Sequence, residues 1–195
     1  MCIDIAGAIS LWEELGGYAS EKKKATKNKS TEKKQKSAAE FVEPDGIVIY
    51  TDGSMRSGTG GYCSVVMKDH EFVTSHGKQV PSTTNNQMEI LGVLSALVYV
   101  KHNNIKSATI YSDSEYVVKG LNEWVSGWIR NGWKTASGKD VANKELWERM
   151  VSVVTELKRF GVLLCIAWIS GHHGTEGNER ADKLANFFSE LKVDV

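Results

Sequence analysis

At 195 residues, with 41% hydrophobic and 25% charged side chains, the chain is long enough for one ordinary globular domain plus an appendage. No stretch approaches the ~18 apolar residues of a membrane-spanning helix, which excludes functions that need such a span. Formal charge is zero overall, but residues 21–40 hold eight lysines and three glutamates, whereas residues 41–195 hold sixteen basic and eighteen acidic side chains. The body is thus not a generally basic nucleic-acid binder, and any such binding rests on a local patch or on the Lys-rich segment.

Residues 1–20 carry an apolar patch at Ile3, Ile5, Ile9, Leu11 and Trp12, interrupted or flanked by Asp4, Glu13 and Glu14. Without a preceding basic region this does not read as a secretory signal, and a short amphipathic helix over Ser10–Tyr18 is expected. Residues 21–40 lack apolar anchors and read as a basic linker. Pro44-Asp45-Gly46 is a turn signal that opens the domain. The expected division is an extension over 1–44 and a domain over 45–192. Cys2, Cys63 and Cys165 lack metal-ligand spacing, so a reducing compartment, intracellular and cytoplasmic by default, fits best.

From there the chain is strand-rich, then helix-rich. Ile47 to Asp52 reads as a strand, followed by a Gly-rich loop holding Gly53, Gly58, Gly60 and Gly61. Tyr62–Met67 and Glu71–Lys78 read as two antiparallel strands joined by a tight turn at Lys68-Asp69-His70. Thr83 or Thr84 caps a long helix that buries Leu91, Leu94, Leu97 and Val98. Ala108–Ser112 is a fourth strand. A helical region divided by Gly120, Gly127, Gly132 and Gly138 follows. Lys144–Phe160 is a helix, Val162–Ile169 a fifth strand, and Thr175 or Asn178 starts a last helix ending near Leu191. The order predicts an α/β fold with one mixed sheet and helices on both faces.

Four acids stand out. Asp52 (IVIYTDGS) and Asp113 (TIYSDSEYV) each close an apolar run, as residues at strand ends that open onto a site do. Glu89 (TTNNQMEI) and Asp182 (GNERADKLAN) lie in helical segments. Carboxylates that converge repel unless a cation neutralises them, and an oxygen-only ligand set favours Mg²⁺ or Mn²⁺ over zinc. Each motif alone has a plainer reading. Asp-Gly is a common turn dipeptide, Asn85 and Asn86 suit a helix start, Asp113 suits an N-cap, and His172 sits in a Gly-flanked loop beside His173. Three of the six Trp (Trp124, Trp128, Trp133) lie close to Arg130 and Lys134, which suits either core packing or stacking on a nucleic acid.

Taken together and in order from Ile47 to Asn186, the segments TDGS, TTNNQME, SDSEYV, GWIRNGWKT with the downstream NKE, and GH-x-G-x-x-x-NERAD closely resemble ribonuclease H type 1. The resemblance implies a five-stranded mixed sheet, three antiparallel strands then two parallel, flanked by helices. It implies an endonuclease acting on RNA/DNA hybrids with two Mg²⁺ about 4 Å apart, Mn²⁺ serving as substitute; a monomer is the default expectation. By the resemblance Asp52, Glu89, Asp113 and Asp182 hold the metals, Asp52 bridging both, and His172 assists proton transfer or product release. Asn85, Asn86 and Gln87, with Gly53 and Ser54, would contact the RNA strand. Thr84 and Asn143 would hold a DNA phosphate. Tyr116, Trp124 and Trp128 would line a DNA channel that Trp133 and Lys134 support. The loop after TDGS is two residues shorter than the common bacterial form and lacks its Asn-Pro segment. Ser82 replaces an Arg found in some members, and Ile129 and Asn131 replace basic residues, so a weaker grip on phosphates is expected. A non-catalytic binding module of the same fold is the alternative.

Overall fold

A computed structural model of the chain describes residues 41–171 and 174–191. The helix expected at Ser10–Tyr18, the Lys-rich segment and His172 with His173 lie outside the described residues.

Three antiparallel strands, Ile47–Arg56 (β1), Thr59–Lys68 (β2) and Glu71–Pro81 (β3), lead into a helix over Asn85–His102 (α1). Ser107–Ser112 (β4) precedes two short helices, Glu115–Lys119 (α2) and Val125–Arg130 (α3). Lys144–Arg159 (α4), Leu163–Trp168 (β5) and Glu176–Glu190 (α5) complete the order. The five-stranded sheet runs β3-β2-β1-β4-β5, with β4 parallel to β1 and β5 parallel to β4, as expected for this α/β class.

The sheet separates two cores. Odd positions of β1 such as Ile49 face a core shared with Ile90, Val93, Leu94 and Leu97 of α1, Val117 and Val118 of α2, and Trp147 and Met150 of α4. Even positions such as Val48 and Tyr50 face Tyr111 of β4 and Ala181 and Ala185 of α5. Period-two alternation along the strand assigns its residues to one helix layer or the other.

Four expectations need correction. The Gly-rich stretch is not a loop. β1 and β2 run straight through it, and only Ser57 and Gly58, at φ 49° and 83°, form the hairpin turn. Twin left-handed residues match the strand twist, as in a two-residue hairpin. Gly61 is instead a packing device, since a β-carbon there would meet the Ala185 carbonyl of α5 at 2.3 Å. Asp52 consequently sits mid-strand, opposite Cys63, rather than at a strand end.

Gly120 and Gly127 do not break the helical region. The chain passes through a wide turn over Gly120–Trp124, whose Val125 N–H reaches back to the Gly120 carbonyl, and continues into α3. Gly120 is required by space, because a β-carbon would lie 2.2 Å from the Trp147 ring. Gly132 and Gly138, both at positive φ, do fall outside the helices. Finally, Val98 is exposed, and Ile90, Val93, Leu94, Leu97 and Val100 carry the buried face of α1. This helix is apolar on most sides, so periodicity alone leaves its orientation ambiguous.

Candidate active site

Thr51 of β1 faces Ser112 of β4 in parallel register, so Asp52, within β1, and Asp113, just past the end of β4, stand side by side. Glu89 arrives from α1. Its approach depends on Gly53, whose missing side chain lets the Glu89 backbone lie against the strand. Carboxylate oxygens of Asp52, Glu89 and Asp113 thereby come within 4.8 Å of one another.

Three acids this close cannot all be ionised without compensation. Burial and the Glu89 neighbours Asp52 and Asp113 push the Glu89 carboxyl up to about 9. Burial and Asp113 raise Asp52 to about 7, the Gly53 amide opposing and Asp182 adding to the rise. Glu89 Oε2 is buried with no hydrogen-bond partner. A buried carboxylate oxygen without a donor, on a residue grouped with two more carboxylates, is what a hard divalent cation would satisfy.

Asp182 belongs to the exposed side of α5 and is not within the close trio, although its charge reaches Asp52. Asn186, one helical turn on, donates from Nδ2 to Asp182 Oδ1 at 3.0 Å. Ser54 of β1 donates to Asn186 Oδ1 at 2.7 Å. Asn186 was not singled out by the sequence reading; its position four residues after Asp182 is the signal that identifies it. Trp168 was missed too: its indole N–H donates to the Asp113 carbonyl at 2.9 Å and pins the end of β4. His172 is outside the described residues, but Gly171 is close to Asp113, whose Oδ2 would lie 3.2 Å from a β-carbon there.

The other expected substrate contacts divide. Thr84 caps α1, and Gln87 completes a capping box by accepting from the Thr84 N–H at 3.1 Å and from the Thr83 hydroxyl at 2.9 Å. Asn85 and Asn86 are exposed on the first turn, one turn before Glu89. Asn143 starts α4 with a left-handed backbone (φ 59°), and its side chain makes no capping bond.

Tyr116, Trp124, Trp128 and Trp147 form one aromatic cluster. Ring centroids are 6.1 Å apart for Tyr116–Trp124, 5.8 Å for Trp124–Trp128 and 5.3 Å for Trp128–Trp147. Trp147 is fully buried and donates to the Tyr116 hydroxyl at 3.2 Å, while Trp124 is 36% exposed. Core packing and an outward aromatic surface are therefore both present, in different residues. Trp133 packs against the same core and lines a cleft of about 470 Å³ with Ile129 and Val151, and Lys134 pairs with Asp140. Among the described residues no helix is long and apolar enough to cross a membrane.

Comparison with known proteins agrees with this geometry. The family model for RNase H matches residues 44–189. The Ribonuclease H of Paracidovorax citrulli (strain AAC00-1) is 43% identical over 142 residues, covering 72% of this chain and 91% of that protein. Among solved structures, LC9-RNase H1, described as a type 1 RNase H with the type 2 active-site motif, is 29% identical with a TM-score of 0.62, covering 76% of this chain and 74% of that one. A foamy viral protease-reverse transcriptase in complex with RNA/DNA hybrid is 26% identical with a TM-score of 0.66, covering 86% of this chain, which spans only 23% of that longer chain.

Proposed function

This chain belongs to the ribonuclease H family, and from that premise we propose that it is an endonuclease that hydrolyses the RNA strand of RNA/DNA hybrids. The products are a 3′-hydroxyl and a 5′-phosphate. The observation that carries the reading is the trio Asp52, Glu89 and Asp113, whose carboxylate oxygens gather within 4.8 Å, one Glu89 oxygen being buried without a hydrogen-bond partner.

The donor set suits two Mg²⁺, which supply charge neutralisation and a water activated at neutral pH. Asp52, Glu89 and Asp113, with Asp182 nearby on α5, would hold the ions, and Asp52, whose carboxyl feels both Asp113 and Asp182, would be the residue common to the set. Asn85 and Asn86, exposed one turn before Glu89, carry amides that both donate to and accept from a ribose 2′-hydroxyl. The outward faces of Tyr116 and Trp124 offer a stacking surface for the DNA strand. Thr84 and Asn143 hold a phosphate of that strand, the Asn143 amide being unused by its own helix. His172 follows Gly171, which lies beside Asp113, and assists proton transfer or product release. Residues 45–192 form the catalytic domain, and residues 1–44 an extension that adds charge.

The test is cleavage of RNA/DNA, RNA/RNA and DNA/DNA duplexes with Mg²⁺ present or chelated, by the chain and by its Asp52→Asn variant. Metal-dependent cutting of the hybrid alone, lost in the variant, is expected. Tight hybrid binding without cutting would instead establish the non-catalytic module, against which the retention of all four acids argues.

A further inference from the structure

Asp182 differs from its three partners. It is exposed on α5. An exposed Asp samples several rotamers, and a ligand-holding group that wanders loses geometry and rate.

One contact chain counters this. Asp182 and Asn186 share a face of α5 at i, i+4, and Asn186 Nδ2 holds Asp182 Oδ1 at 3.0 Å. The Asn186 side-chain amide oxygen Oδ1 is in turn held by the Ser54 hydroxyl, which donates to it at 2.7 Å. Ser54 lies two residues beyond Asp52 on β1, on the same face of the sheet. Ser189 closes the group, donating to the Asn186 backbone carbonyl at 2.8 Å with the Ser54 oxygen 3.4 Å away.

The polarity of this chain runs one way. An ionised carboxylate only accepts, so the Asn186 atom facing Asp182 must be the NH₂ group. The amide oxygen then faces Ser54, whose hydroxyl must donate to it. The arrangement orients the Asp182 carboxylate through its Oδ1.

We infer that Asn186 and Ser54 are positioning residues that hold the Asp182 carboxylate, on α5, in fixed register with Asp52, on β1. The inference rests on the catalytic reading above. It also gives Ser54 a different task from direct contact with RNA: its hydroxyl acts through Asn186. The bond is worth most where it cannot be replaced by water, and Ser54, Asn186 and Ser189 are all at least partly buried between sheet and helix.

The experiment compares the full chain with Asn186→Ala, Ser54→Ala, Ser54→Thr and the double variant Ser54→Ala/Asn186→Ala. Two quantities are read: kcat and KM for hybrid cleavage, and the rise in Tm caused by Mg²⁺ or Mn²⁺ without nucleic acid. Asn186→Ala is expected to lower kcat by about 10–100-fold and to shrink the cation-induced rise, as loss of a ligand-orienting partner does. KM should stay within about twofold, because no substrate contact is removed. Ser54→Ala should give a smaller loss, Ser54→Thr should restore it, and the double variant should be no worse than Asn186→Ala alone. Additive losses with a raised KM for Ser54→Ala would make Ser54 a substrate contact and overturn the relay. Equal kcat and an equal cation-induced rise for Asn186→Ala would overturn the inference while the ribonuclease reading stood. A wild-type chain that leaves the hybrid intact would remove that reading and the inference with it.

Discussion

The backbone nitrogen of Glu89 lies 2.4 Å from the point a β-carbon on Gly53 would occupy. The acid that completes the carboxylate trio therefore reaches Asp52 only because the residue after Asp52 has no side chain. Gly53→Ala forces α1 away from β1 against rigid backbone. An expected cost of about 1–3 kcal/mol in stability follows from overpacking, with a loss of activity larger than the stability loss explains. Thermal denaturation and hybrid cleavage on the same preparation check both.

The trio predicts an unusual pH dependence for the metal-free protein. Glu89 rises from 4.5 to about 9 and Asp52 from 3.8 to about 7 in the folded chain. Between those limits the folded state keeps protons that the unfolded state has released, so stability falls as pH rises from about 4 to about 9 and levels above it. Below pH 4 both states are protonated and the groups contribute nothing. Urea denaturation with a chelator at pH 5, 7 and 9 should show this decline, and added Mg²⁺ should remove most of it by replacing the protons.

Relief of the same repulsion makes Asp52→Asn and Glu89→Gln stabilising in the absence of metal. A gain of about 0.5–2 kcal/mol near pH 8 is expected, the trade-off between stability and function found at active sites. Activity should fall by about 10²–10³-fold or more, since a preorganised charge at the reacting centre is lost. A stability gain that persists at pH 4, where the native carboxyls are already protonated, would contradict the electrostatic cause.

Trp124 and Trp147 belong to one aromatic cluster but should respond differently to truncation. Trp147 is fully buried against Gly120, so Trp147→Ala should cost about 3–5 kcal/mol. Trp124 is 36% exposed, and Trp124→Ala should leave Tm nearly unchanged while weakening hybrid binding by about 1–3 kcal/mol, the worth of one stacked base. Fluorescence anisotropy with a labelled hybrid separates the two.

Residues 21–40 carry eight lysines. Removing residues 1–40 should weaken hybrid binding at low salt and matter little at high salt, and the slope of log affinity against log salt should become shallower. Equal slopes for the full and shortened chains would mean that these lysines do not touch phosphate.

Most of the strand and helix order was legible in the sequence, because β-branched runs and the Thr84 cap are local signals. What escaped were features set by packing between distant segments. Gly53, Gly60 and Gly61 read as a loop because glycine is usually a turn former, yet here they thin the sheet for α1 and α5 to approach. Val98 read as buried because α1 is apolar on most sides. The four acids were recognisable from their motifs, and Asp52, Glu89 and Asp113 do converge. The supporting contacts were not readable: the Ser54–Asn186 bond spans 132 positions and the Trp168–Asp113 bond spans 55. Nothing in one short window announces either.

The aromatic cluster has an optical consequence. Trp124, Trp128 and Trp147 stand in a row with neighbouring centroids 5.8 and 5.3 Å apart, so excitation absorbed anywhere in the row is shared along it. Of these three rings Trp124, at the outer end, is the most open to solvent and to whatever covers that surface, while Trp147 is fully buried. The share of the emission that comes from this row is thereby coupled to its outward ring, and the unlabelled protein carries its own gauge of occupancy, readable in a stopped-flow trace before any bond is cut.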